Sequence, residues 1–292
     1  MRRYFKPTCE LVPSMTTTFQ QLKIIRHSAA YWRVSFDNPP INMLDARTVQ
    51  ELVQLLELLE TDQYLRVVVF DSTNLEFFIA HFDTGTEMET ILTPLPNGLF
   101  PWVDFVDRFA KLPVVTVAAI RGRARGVGSE FALACDIRFG SLEKAILAHF
   151  EVGAGAIPGG GALERLPRLV GRSRTLEIIL GAEDFDAVTA ERYGWINRAI
   201  PDAEFENFVD AYARRIASFD KQALAEAKRL INARSNEPPA ALINDAHSTF
   251  LDSLTWPGTS KRVPKLMALG SGQRSDLELN FSRHVGYLDI DG

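Results

Sequence analysis

Ile120–Phe139, IRGRARGVGSEFALACDIRF, is the stretch on which the reading of the whole chain turns. Ahead of it, Val114–Ile120 (VVTVAAI) is a short apolar, β-branched run of the kind that forms a buried strand. Gly122, Gly126 and Gly128 break the pattern, and Glu130, Phe131, Leu133 and Ala134 resume it at helical spacing. The expected order is strand end, glycine turn, helix. A helix beginning near Val127 leaves its first N–H groups without intrahelical partners. Those donors, with the positive end of the helix dipole, favour a negative charge developing on a ligand oxygen. Glu130 lies three residues after Val127 and projects from the same face. An oxyanion donor and a carboxylate are thus offered side by side. The competing reading of the spacing alone is a tight strand–helix connection with an exposed glutamate. The stretch contains no G-x-G-x-x-G, G-K-[ST] or G-x-S-x-G, which argues against dinucleotide, P-loop and serine-hydrolase sites.

The chain around this stretch has room for a full core, as one large domain or as a domain with a smaller companion, and its 46% hydrophobic and 24% charged residues are ordinary for a globular protein. A net charge of −5 with no basic stripe argues against nucleic acid or an anionic membrane as partner. No apolar run approaches membrane-spanning length. Cys9 and Cys135 sit in different contexts, tail and helix, so a disulfide is not expected and a reducing, cytoplasmic setting is. Residues 1–20 read as a flexible tail. Their arginines suggest a transit peptide, but Glu10 and the lack of an amphipathic segment argue against one, and Met15 is an alternative start.

Taken in order, Leu22–His27 and Tyr31–Phe36 read as a hairpin, and Asp45 caps a helix to about Glu60 with Val49, Leu52, Val53, Leu56 and Leu59 on one stripe. Leu65–Phe70 and Glu76–Ala80 read as strands, Thr84–Asn97 as a mobile loop and Trp102–Lys111 as a helix. Asp136–Gly140 and Ala145–His149 add strands before Glu151 and a glycine-rich loop that runs into a helix over Ala162–Leu169. Alternating strands and helices to about residue 200 give an α/β core over 21–200. Phe205–Ala217, Gln222–Asn232, Pro239–Leu254 and Lys261–Leu269 make 201–292 a helical region, with an irregular arm from about Ser271.

Four blocks in order now show a resemblance: FFIAHFD (Phe77–Asp83), GRARGVGSEFALACDIRF (Gly122–Phe139), FEVGAGAIPGGGALERLPRLVG (Phe150–Gly171) and AERYGWINRAIP (Ala190–Pro201). The chain resembles the enoyl-CoA hydratase/isomerase, or crotonase, superfamily over roughly Leu22–Pro264. The resemblance implies a ββα spiral with a C-terminal helical oligomerisation region, assembled as a homotrimer or a dimer of trimers. It implies an acyl-CoA thioester as substrate, no separate cofactor and no metal. Two backbone N–H groups would hold the thioester oxygen, here those of Phe82 and Val127; the glycine turn independently suggested a donor at the helix start near Val127. Both positions depart from the small residues usual in hydratases, as His81 does from a glycine. Ala80, His81, Asp83 and Gly126 fall where the family contacts substrate or coenzyme A, although His81 also has a purely structural reading, and His149 is read as packing.

Glu130 and Glu151 fall on the family's two acidic positions. Adding water to a 2-enoyl thioester needs one group to take a proton from water and another to supply one to Cα. Close carboxyl groups in a dry pocket push their pKa values apart and so can take opposite roles. The resemblance assigns Glu130 as base and Glu151 as donor. Glu151 alone could also be a loop carboxylate, and Phe150 stands where a proline is common. Hydration is the first expectation. Isomerase, hydrolase or hydratase-lyase chemistry, and a non-catalytic acyl-CoA-binding protein, are the alternatives.

Overall fold

The computed structural model describes residues 19–85, 92–235 and 237–288. Strands β1 (Leu22–Ser28) and β2 (Tyr31–Phe36) form the expected antiparallel hairpin. The Asp45 carboxylate accepts from the Thr48 N–H at 2.8 Å, capping α1 (Ala46–Thr61). There follow β3 (Val67–Ser72), β4 (Phe77–Ile79), α2 (Pro101–Ala110), β5 (Val115–Ile120), β6 (Arg123–Arg125), α3 (Val127–Ala134), β7 (Ile137–Ser141) and β8 (Ile146–Ala148). A 3₁₀ turn at Glu151–Ala154 leads to α4 (Ala162–Val170), α5 (Arg172–Gly181), β9 (Asp184–Asp186), α6 (Ala187–Tyr193) and β10 (Arg198–Ile200). The helical region comprises α7 (Asp202–Ala217), α8 (Lys221–Arg234), α9 (Ala240–Ser253), α10 (Pro257–Ala268), α11 (Asp276–Leu279) and α12 (Phe281–Gly286).

From β3 to β8 successive strands alternate between two sheets. One has six strands in the order β1-β2-β3-β5-β7-β10, and the other has four in the order β4-β6-β8-β9. Each turn of chain therefore gives one strand to each sheet, which is the expected ββα spiral. The first sheet is covered on both faces. Val68 and Phe70 pack with Leu52, Leu56, Phe109 and Phe131, while Val67 and Val69 pack with Phe205 and Val209 of α7. Burial on both sides is why β3 is a continuous apolar run and not an alternating one.

Three expectations need correction. The turn between β5 and α3 is interrupted by β6, whose three residues pair with β4 and β8; so short a strand leaves no periodicity to read. Helix α5 and strands β9 and β10 were not anticipated, for the same reason of length or, in α5, because only Thr175, Ile178 and Ile179 are buried. The segment from Ser271 is not a loose arm. Leu277, Phe281 and Val285 are buried against Ala154, Ala182 and Leu266. Their spacing of four residues was the overlooked helical signal.

The expected tail, residues 1–20, lies outside the described residues up to position 18; the Gln20 N–H donates to Glu51 Oε1 at 2.8 Å, so the chain is tied down at that position. Residues 86–91 of the expected Thr84–Asn97 loop also lie outside the described residues.

One close approach positions the site. A Cβ on Gly128 would lie 2.4 Å from the Ile79 carbonyl oxygen and 2.8 Å from the Ile79 Cβ, so the first turn of α3 rests directly on β4. Gly128→Ala should therefore lower stability by about 1–3 kcal/mol, the range for overpacking a tight contact. Thermal or denaturant unfolding checks it, and a variant as stable as the parent would show that the two elements part freely.

Candidate active site

β4 delivers the chain to Ala80–Asp83, and this segment pairs with Leu44. The Leu44 N–H donates to the His81 carbonyl and the Asp83 N–H to the Leu44 carbonyl, each at 2.9 Å. Backbone groups of successive strand residues face opposite sides, so the N–H of Phe82 points away from Leu44. Among the described residues, no backbone carbonyl accepts from the N–H of Phe82 or of Val127. Both residues line one cavity of about 160 Å3. Gly126, which precedes Val127, has φ 50° and ψ −122°, and a Cβ there would come within 3.0 Å of Glu151 Oε1. Glycine is thus required by conformation and by space. Two free backbone donors at the wall of an apolar cavity are the arrangement that stabilises charge developing on a carbonyl oxygen.

Glu130 and Glu151, distant in sequence, line the same cavity and are both buried. Glu130 Oε1 accepts from the Gly160 N–H at 2.6 Å and the Ala162 N–H at 3.2 Å. These are donors from the start of α4 and the glycine loop before it. Burial first, and then the charge of Glu151, push the Glu130 carboxyl up to about 7, against the opposing pull of His149 and of the two amides. A carboxyl poised near neutral pH can take and return a proton under working conditions. Glu151 opens the 3₁₀ turn, and its Oε2 has no hydrogen-bond partner among the described residues. His149 Nδ1 is 3.7 Å from Glu151 Oε1, and its ring stacks on Trp195 with centroids 5.7 Å apart. Packing is therefore one role of His149, and contact with Glu151 is a second.

Of the remaining expected site residues, His81 and Gly126 line the cavity. Ala80 packs with Ile41 and Phe77 in a small cluster, and Asp83 Oδ1 accepts from the Gly85 N–H at 2.8 Å; neither is part of the cavity wall. Among the described residues no group of three or more His, Cys, Asp or Glu side chains could hold a metal ion.

The sequence reading missed Trp102, Gly160 and His247. A Cβ on Gly160 would meet Glu130 Oε2 at 2.2 Å and Trp102 Nε1 at 2.5 Å, so the carboxylate, the indole and the loop are in mutual contact. His247 of α9 is 2.9 Å from the Gly159 carbonyl through Nδ1 and so steadies the loop that holds Glu130; burial lowers its pKa and keeps it neutral. Phe250, Leu254, Val263 and Leu266 of α9 and α10 complete the wall. Only the glycine run hinted at any of this.

With this geometry the comparisons agree. The sequence model of the enoyl-CoA hydratase/isomerase family matches residues 26–255. The chain belongs to that family. It is 31% identical to a short-chain-enoyl-CoA hydratase of Clostridium acetobutylicum over 198 residues, 66% of this chain and 73% of the relative. A crystal structure from Streptomyces avermitilis, provisionally assigned as an enoyl-CoA hydratase, superimposes with a TM-score of 0.89 at 40% identity, covering 94% of this chain and all of that one. An enoyl-CoA hydratase from Mycobacterium avium subsp. paratuberculosis gives a TM-score of 0.75 at 26% identity over 84% of this chain and 98% of its own. The protein is accordingly an acyl-CoA enzyme of hydratase/isomerase type.

Gly160→Ala should leave a folded protein with activity on an enoyl thioester reduced about a hundredfold, because misplacing a catalytic group by about 1 Å costs that much. Steady-state rates with circular dichroism as the folding control check it. Undiminished turnover would mean that Glu130 does not depend on the loop.

Proposed function

We propose that this enzyme hydrates a 2-enoyl-CoA, with Glu130 and Glu151 dividing the proton transfers and the N–H groups of Phe82 and Val127 receiving the thioester oxygen. The observation that carries the reading is the presence of both carboxyl groups and both free backbone donors on one apolar cavity. Water beside Glu130 Oε2 gives its proton to that oxygen while its own oxygen bonds to Cβ. The Cα–Cβ π electrons move onto Cα and the thioester oxygen, making an enolate. Glu151 then delivers a proton to Cα, and the double bond has become a C–OH and a C–H. Removal of one oxyanion donor typically costs about a hundredfold or more in rate, so the backbone geometry matters as much as the carboxylates. Coenzyme A enters as part of the substrate, and the reaction needs no further cofactor.

The acyl group is apolar and uncharged. Apart from the two glutamates, the cavity-lining titratable groups among the described residues are His81 and His247, and the distal wall is Leu92, Trp102, Phe250, Leu251, Leu254 and Leu266. Among the described residues no unpaired cation lines the cavity to receive a second carboxylate. The proposed site of action is the cytoplasm; Cys135, a buried free thiol, suits a reducing setting. The proposed assembly is a homotrimer or a dimer of trimers. Helix α8 buries none of its residues and exposes Ile231, as a helix awaiting a second copy would. Sedimentation measurements check this, and a monomer at working concentration would overturn it.

The direct test follows loss of the conjugated thioester absorbance on adding crotonyl-CoA and longer enoyl-CoAs. Glu130→Gln should abolish the loss while thioester binding is retained. A shift of the double bond without uptake of water would establish an isomerase instead. Because Glu130 must be ionised to accept the proton, kcat/KM for hydration should rise with pH toward about 7, falling tenfold per unit on the acid side. A flat profile from pH 5 to 7, about two units on the acid side of that value, would remove Glu130 from the role of base.

A further inference from the structure

His81 is 8% exposed, lines the cavity, and is hydrogen-bonded at both ring nitrogens. Nδ1 is 2.9 Å from the carbonyl oxygen of Phe82, and Nε2 is 2.7 Å from Oε1 of Glu278. A carbonyl oxygen can only accept. Glu278 Oε1 also accepts from the Gly272 N–H at 2.9 Å, and the Arg125 guanidinium donates to the Glu278 backbone carbonyl, an environment that favours the ionised carboxylate. With an acceptor at each nitrogen the ring carries two N–H groups, and a ring with two N–H groups is a cation. A proton shared with a carboxylate also goes to the stronger base, which is imidazole by about two pKa units at ordinary values. Burial alone would lower the pKa of His81, but the Glu278 hydrogen bond and charge outweigh it and leave it raised; burial likewise opposes ionisation of Glu278, and His81 outweighs that in turn.

The pair has a direction. Glu278 is completely buried on α11, whereas His81 faces the cavity, so the positive end lies toward the substrate. The Phe82 N–H belongs to the peptide that His81 begins, and the His81 ring grips the carbonyl at the far end of the same residue. We propose that His81, held as an imidazolium by a carboxylate from the C-terminal segment, is a positioning residue for the oxyanion site: it fixes the Phe82 backbone and sets a positive charge beside the developing enolate. The proposal rests on the reading that the thioester oxygen binds at Phe82 and Val127. The other charged groups nearby are few. Arg125 of β6 opposes the cation but is itself paired with Asp184 at 2.8 Å. Glu151 lines the same cavity, and Asp83 follows Phe82 in the chain. The rings of Phe150 and Phe281 stand edge-on to the imidazole at 5.7 and 6.1 Å and keep water from it.

The pair is intact only where Glu278 is ionised and His81 protonated, a window that opens below the ordinary carboxylate range and closes above the ordinary imidazole value. The test is the intact enzyme and its Glu278→Gln and His81→Gln variants, read by kcat and KM against pH and by nitrogen NMR of the His81 ring. The wild-type ring should carry both protons at pH 7, above the ordinary imidazole value of about 6.5. Glu278→Gln should lower kcat at least about tenfold with little change in KM. It should also gain a limb that falls as pH rises, below the ordinary imidazole value, because burial alone lowers the pKa of a His81 released from Glu278. His81→Gln should show the loss of kcat at every pH without that limb. A neutral ring in the wild type at pH 7, or a folded Glu278→Gln enzyme with unchanged kcat and pH profile, overturns the proposal and leaves hydration standing. Absence of turnover on every enoyl thioester overturns the hydratase reading and the oxyanion role with it, while the ring nitrogens still report the charge of His81. Should neither variant fold, the wild-type spectrum decides alone.

Discussion

The contact on which the site depends is one between backbones. Gly128 presses against the Ile79 peptide at a distance no side chain could share. This seats the N-terminus of α3 against the end of β4 and brings Val127 and Phe82 to the wall of one cavity. Gly126 adds a second constraint, a positive φ beside the Glu151 carboxylate. The proposed donors are main-chain groups held at the ends of β4 and β6 of one sheet and at the start of α3, so their direction is set before substrate arrives and little reorganisation remains to be done during reaction. Bulky Phe82 and Val127 are compatible with the proposed role, which uses their amides and leaves the side chains to line the wall.

The second organising fact is the cost of burying two carboxyl groups. Desolvation and mutual repulsion both disfavour ionisation. The structure offsets part of this at Glu130 with the Gly160 and Ala162 amides, and leaves the rest as a pKa near 7. Partial compensation is functionally better than full compensation, because a carboxylate held far below neutrality would be a poor base. His247 and Trp102 enter here through the loop and not through the reacting atoms; the loop can hold Glu130 only because Gly159 and Gly160 let Phe250 and Trp102 pack against bare backbone.

The C-terminal region belongs to the active site as much as to any assembly. Helices α9 and α10 close the acyl side of the cavity. Beyond them α11 and α12 return to the body, where Leu277 and Phe281 are buried and Glu278 reaches the oxyanion segment. A core contact and a polar contact thus fix the same short segment, and its packing is coupled to the geometry at Phe82.

The sequence alone determined a good deal. The β-branched runs Val67–Phe70 and Val115–Ile120, the Asp45 cap, and the glycine-then-helix pattern at Gly126–Glu130 are local signals, read from periodicity and turn chemistry. Together with the ordered family blocks they gave the α/β spiral and singled out the two glutamates and the two backbone donors proposed for the site. Tertiary structure decided what those elements meet. The Gly160 amide that holds Glu130 is 30 residues away, and Glu278 is 197 residues from His81. Strands as short as β6, β9 and β10 exist because neighbouring strands pair with them, not because three residues carry a pattern. Contacts of that range cost chain entropy to close and are stabilised by the whole core, so no local stretch encodes them. Charge and direction at the oxyanion segment follow from such contacts, which is why His81 read as a departure in the sequence and as a partner of Glu278 in the fold.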